Sequence, residues 1–175
     1  MLNNKFRSAV WLCTSLTIII CSCNGTDTAI STLPNCEDGI RNNGEREIDC
    51  GGKSCQPCPA KMDALVDGTP WSLFGSTITS QVNTSSSSIF ISGTDSVFRS
   101  ISLIHAGSFS PGTYNLNGGL YNTPSGSFTT STGTITISVW DTTERYIEGF
   151  FSFTAYGGNG DSVRITNGGF AFAPY

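Results

Sequence analysis

The 175-residue chain predicts an all-β protein, an antiparallel β-sandwich or flattened barrel of about eight to ten strands, preceded by a small disulfide-rich module. Three observations carry that expectation. From residue 62 onward apolar residues alternate with Ser and Thr at period two, the spacing that turns one face of a strand inward. Clusters of Gly, Asn, Asp and Pro interrupt the alternation at short intervals, as turns do, and leave almost no helix-friendly stretch. Ahead of that region, four cysteines crowd into residues 36–58, a segment whose sizeable aliphatic content is Ile40 and Ile48. So little apolar surface cannot build a core, and cross-links must take its place.

At the N-terminus, Lys5 and Arg7 precede an apolar run from Ala9 to Ile20 that closes on Ile20-Cys21-Ser22-Cys23. Charge followed by a short apolar stretch is the order of a secretory signal peptide, and the run falls short of the about 20 apolar residues that span a bilayer. The small Ser22 before Cys23 resembles the lipobox of bacterial lipoproteins, which implies cleavage after residue 22 and acylation of Cys23. Cys21 competes for that role, but it follows the bulky Ile20. Residues 1–22 are thus expected to be a lipoprotein signal peptide, Cys23 the lipid anchor, and residues 23–35, rich in Ser and Thr, a flexible tether. The expected location is outside the cytoplasm, lipid-anchored to the outer membrane and facing the periplasm or the medium.

Beyond residue 22 seven basic residues face thirteen acidic ones, a balance of −6. Nucleic-acid affinity comes mainly from Lys and Arg neutralising phosphates, so this balance excludes nucleic acid as a partner. An even set of cysteines in an exported chain, Cys36, Cys50, Cys55 and Cys58, reads as two disulfides. Three pairings are open, with Cys55–Cys58 disfavoured because a bridge over two residues is strained. Within the same loop Asp38, Asn42, Glu45 and Asp49 place side-chain oxygens every three or four residues. Calcium takes six to eight oxygen ligands, which makes these four its candidate ligands and calcium the candidate cofactor. The competing reading is that they cap turns through local hydrogen bonds. The order of Cys36, Asp38, Gly39, Asn42, Glu45, Asp49, Cys50, Gly51, Gly52, Cys55 and Cys58 resembles a cysteine-rich module of exported proteins, many of them Bacteroidota-type lipoproteins.

The β domain is expected over residues 62–175. Asp67-Gly68 between DALVD and WSLF predicts an opening hairpin. Further strands are expected at Ser76 to Val82, Ser88 to Ser92, Ser96 to His105, Gly112 to Leu116, Gly119 to Tyr121, Gly133 to Trp140, Tyr146 to Tyr156 and Ser162 to Phe172. Asn167-Gly168-Gly169 predicts a bulge in the last of these. The elements SISL, GTYNL, GTITI, IEGFFSFTA and VRITNGGF, in that order, resemble an uncharacterised all-β domain of Bacteroidota-type lipoproteins, which implies a fold and a location but no catalytic residues.

His105 is the chain's one histidine and no G-x-S-x-G elbow occurs, which removes the usual route to an activated nucleophile. Glu148 with Asp141 or Glu144 is the remaining carboxylate pair for a glycosidase. Aromatics are the stronger signal. Strict alternation sets Tyr146, Glu148 and Phe150 on one outward face, with Trp140 at the end of the neighbouring strand, and such a face suits a sugar ring or a protein partner. The expected function is therefore a non-catalytic binding or interaction module with Trp140, Tyr146 and Phe150 as its ligand-facing aromatics. The alternatives are a structural accessory subunit of an envelope complex, with those aromatics in the core, and a glycoside hydrolase using Glu148.

Overall fold

The computed structural model describes residues 36–75 and 77–175. The expected signal peptide, the Cys23 anchor and the tether lie outside the described residues. Pro34–Tyr175 forms a compact unit of its own, and it contains both disulfides, every strand and the hydrophobic core described below.

Eleven strands run β1 (Lys61–Val66), β2 (Thr69–Phe74), β3 (Ile78–Asn83), β4 (Ser88–Thr94), β5 (Ser100–Ala106), β6 (Gly112–Asn115), β7 (Gly118–Thr123), β8 (Gly126–Thr130), β9 (Gly133–Asp141), β10 (Tyr146–Gly157) and β11 (Ser162–Pro174). No helix occurs among the described residues. All pairings are antiparallel, and the order β2-β1-β11-β10-β8-β7-β5-β4-β3 makes one nearly closed, barrel-like sheet. The sheet forks at β10: Tyr146 to Phe153 pair with β9, which carries β6 on its far side, while Tyr156 and Gly157 pair with β8. β3 returns toward the end of β11, where the Ser80 hydroxyl donates to the Pro174 carbonyl.

The alternation behaves as period two requires over much of the sheet. Ile89 and Ile91 of β4, Ile135 and Ile137 of β9, and Phe151, Phe153 and Ala155 of β10 all point into one core. The β1–β2 turn has Asp67 and Gly68 both at positive φ, 48° and 81°, the conformation whose twist matches a two-residue hairpin. Asp67 also ties that turn to β11: its N–H donates to the Arg164 carbonyl at 2.9 Å, and its carboxylate accepts the Arg164 N–H at 2.8 Å. The expected bulge lies at Asn167, φ 49°, where the register of β1 against β11 slips between Asp63 and Leu65.

Two local differences from the sequence reading have clear causes. Residues 96–99, expected as strand, form a loop because the Asp95 carboxylate accepts the N–H groups of Val97 and Arg99 and the Arg99 guanidinium, which competes with sheet pairing. β8 gave no signal because Phe128 is its one apolar residue; pairing with β7 and β10 makes it a strand.

The disulfides join Cys36 to Cys55 and Cys50 to Cys58, with Cα separations of 5.5 and 4.9 Å. Ile40 and Ile48 are exposed, so the bridges and turn hydrogen bonds hold this segment together. It attaches to the barrel by charge: Arg46 pairs with Asp141 and, at 3.6 Å, with Glu144, and its guanidinium lies 5.5 Å from the centre of the Tyr146 ring. Lys61 pairs with Glu47.

Candidate functional site

β10 is hydrogen-bonded on both sides along most of its length, so its outward side chains stand on a rigid base. Near its start the neighbouring strands bulge against it: β11 carries an extra residue opposite the step from Ile147 to Gly149, and β9 carries one, Ser138, opposite the step from Glu148 to Gly149. The extra residues belong to the partners, so β10 keeps its own alternation, with Ile147, Gly149, Phe151, Phe153 and Ala155 buried. Tyr146 shares the outward parity of Glu148 and Phe150 and lies outside the barrel's core cluster, but the cysteine segment covers it: it is buried at 6% exposure under Arg46, with its ring tilted against Phe172 at 5.2 Å. Trp140 is half-buried, stacked between Phe109 at 5.1 Å and Tyr175 at 4.7 Å. Phe150, on the same parity, is left uncovered and is 62% exposed.

The ring of Phe150 stands between two hollows. Its cross-strand neighbours are Thr136 on β9 and Gly169 on β11. Toward the C-terminal half of β10 lies a groove of about 440 Å³, lined by Thr134, Thr136, Phe150, Ser152 and Asn167. Thr134 and Ser152 hydroxyls approach to 3.1 Å across it, and Thr136 meets Thr113 at 2.9 Å. On the other side a hollow of about 200 Å³ is lined by Lys61, Asp63, Ser138, Glu148 and Phe150. Burial raises the Glu148 carboxyl above its usual range, Glu47 adds to the rise, and Arg46 and Lys61 oppose it. Burial also raises Asp63. Tyr156, 57% exposed, continues the outward row three steps of the alternation further on. Sequence reasoning did not select Tyr156, although residues 150, 152, 154 and 156 share parity.

The four candidate calcium ligands are occupied locally. The Asp49 carboxylate accepts N–H bonds from Asp38 and Gly39 at 2.9 Å, and Asp38 accepts from Ile40 N–H and the Asn42 amide, each at 2.8 Å. Glu45 is 5% exposed; its Oε2 accepts from the N–H groups of Asn42 and Asp49, while its Oε1 lies 3.3 Å from Cys55 Sγ. The metal-type cluster found among the described residues is Cys36, Glu45 and Cys55, in which both sulfurs belong to a disulfide. His105 is buried at the end of β5, its two ring nitrogens facing the Asn115 and Ser108 carbonyls and its ring 4.8 Å from Tyr114.

Residues 59–174 match a domain of unknown function, DUF6252. The chain belongs to the DUF6252 family. The match covers the whole barrel, from the residue after Cys58 to the end of β11, and stops short of the cysteine segment. No curated protein and no solved structure matches the chain. In this DUF6252 domain the Phe150 face is built from β1, β9, β10 and β11, so every residue placed in it lies within the family's boundaries.

Proposed function

We propose that this DUF6252 protein is an exported, outer-membrane lipoprotein that binds glycan without catalysing a reaction, through the outward face around Phe150. One observation carries the reading: a phenylalanine at 62% exposure in the middle of a strand paired on both sides. A large aromatic left in water there contributes little to the fold, and its face suits the C–H face of a sugar ring. The hydroxyls of Thr134, Thr136 and Ser152 and the Asn167 amide supply the donors and acceptors that a ring's hydroxyl groups need. Two disulfides in a segment without its own core support export, and Ser22-Cys23 supports the lipid anchor.

The rival is a structural accessory subunit. Burial of Tyr146 and stacking of Trp140 are what it expects, and exposure of Phe150 is what it leaves unexplained. A glycosidase is less well supported, because Arg46 draws Asp141 and Glu144, the proposed partners of Glu148, toward the cysteine segment. A glycan array screened with the 34–175 unit tests the proposal. Phe150→Ala is expected to abolish any hit while holding stability within about 0.5 kcal/mol, as for other surface substitutions. Tyr146→Ala, by contrast, should cost about 3 kcal/mol by emptying a packed site. A hit that survives Phe150→Ala would refute the assignment of the face, and an array without hits would favour the accessory subunit.

A further inference from the structure

A third hollow, separate from the two beside Phe150, opens between the cysteine segment and the end of the barrel. It holds about 330 Å³, and its bed is mainly carbon, from Pro57, Pro59, Ile78, Tyr146, Phe172 and Pro174. Two of its wall residues stand on left-handed backbone: Arg145 at φ 57° and Phe172 at φ 50°. Bulky side chains are rare there, and Gly would relieve the strain at either position. Strained positions of this sort gather at ligand clamps. Phe172 sits where the register of β11 slips against Ile147 and Gly149, and its ring closes the hollow against Tyr146.

Arg145 supplies the one cationic group of the lining. Its guanidinium lies 5.7 Å from the centre of the Tyr175 ring, and among the described residues no carboxylate pairs with it. The neighbouring Glu144, also in the wall, is turned to Arg46. The hollow thus presents an apolar bed with an unneutralised cation at its edge, the complement of an amphipathic anion.

We propose that this cleft binds one fatty acyl chain carrying an anionic head group, with the chain on the proline and aromatic bed and the head group at Arg145. A peptide would leave backbone N–H and C=O groups facing carbon walls without partners. A hydrocarbon chain gives up no hydrogen bond on entering and gains from leaving water.

The test uses the Pro34–Tyr175 unit, which carries both disulfides and the whole described core. It is titrated with a conjugated polyene fatty acid kept below its micelle concentration, and in a second arm with the alcohol of the same chain. The expected result is one saturable site, about tenfold tighter for the acid than for the alcohol, because a charge-assisted hydrogen bond is made by the acid alone. Arg145→Gly is expected to erase that difference while leaving the melting temperature equal or higher, since Gly fits the left-handed position. Pro57→Trp, which fills the cleft from an exposed edge, is expected to weaken both arms at least tenfold. Absence of saturable binding, equal affinity of the parent for acid and alcohol, or an acid preference that survives Arg145→Gly would overturn the proposal.

Discussion

Reducing the two disulfides should unfold the cysteine segment and leave the barrel standing. The segment has no buried aliphatic side chain of its own, since Ile40 and Ile48 are 62% and 58% exposed. The bridges span sequence separations of 19 and 8 residues. Loop-closure entropy for those lengths amounts to about 3 kcal/mol for Cys36–Cys55 and about 2.5 kcal/mol for Cys50–Cys58. What would remain is a set of turn hydrogen bonds and the exposed ion pairs of Arg46 and Lys61, each worth about 0 to 1 kcal/mol. Those cannot offset the entropy of ordering some twenty residues, at roughly 1 kcal/mol or more per residue. The barrel's core, in contrast, comes from residues 60–173. Hydrogen exchange followed by mass spectrometry, with and without a phosphine reductant, reads this directly. On reduction the bonded amides of Gly39, Glu45, Asp49 and Gly51 should lose protection, while those along β10 and β11 keep theirs. The reasoning is refuted if the segment stays protected after reduction, or if the amides of β10 and β11 open together with it.

Three further outcomes follow from particular residues. Gly149→Ala should destabilise the barrel by about 3 kcal/mol in a denaturant melt, because a Cβ there would stand 2.0 Å from the Thr136 carbonyl oxygen and 2.7 Å from the Phe170 ring; a loss under about 1 kcal/mol would mean that the β9–β10 slip relaxes freely. Glu148 has its carboxyl raised by burial, so the fold favours its protonated form: that contribution is fully present below the usual carboxylate range and is lost as pH rises through the raised value. Glu148→Gln should then raise the melting temperature at neutral pH and not at pH 3, and the opposite pH dependence would contradict the burial argument. Millimolar calcium should leave the melting temperature of the oxidised unit unchanged, because Asp38, Glu45 and Asp49 would have to release N–H donors to form a cage; a rise of several degrees would show that they do so.

Much of the site was visible in the sequence at the level of single residues. Phe150 was selected by parity and is exposed, while Tyr146 was selected by the same rule and is buried. The rule assigns a face correctly to both, but it cannot say which part of a face another segment covers, and Arg46 of the cysteine segment lies over Tyr146 and not over Phe150. Trp140 shows the same limit, since its stacking partners Phe109 and Tyr175 come from a loop and from the residue after β11. The sequence marks Asn167 as part of a bulge and not as part of a binding face, and Thr134 carries no such signal; the sheet brings both beside Phe150.

What the sequence determined alone is what depends on short-range chemistry. The Asp67-Gly68 turn, the Asn167 bulge and the inward faces of β4, β9 and most of β10 follow from backbone preference and period two, each contained within a few residues. The number of cysteines likewise implied two bridges. Tertiary structure alone decided which cysteines pair, where β10 forks, that Glu45 is buried beside a disulfide, and that Arg46 reaches across the chain to Asp141 and covers Tyr146. Each of these depends on segments tens of residues apart meeting at one place. That meeting is set by how the strands share a single core and by where their registers slip, and no local preference encodes it.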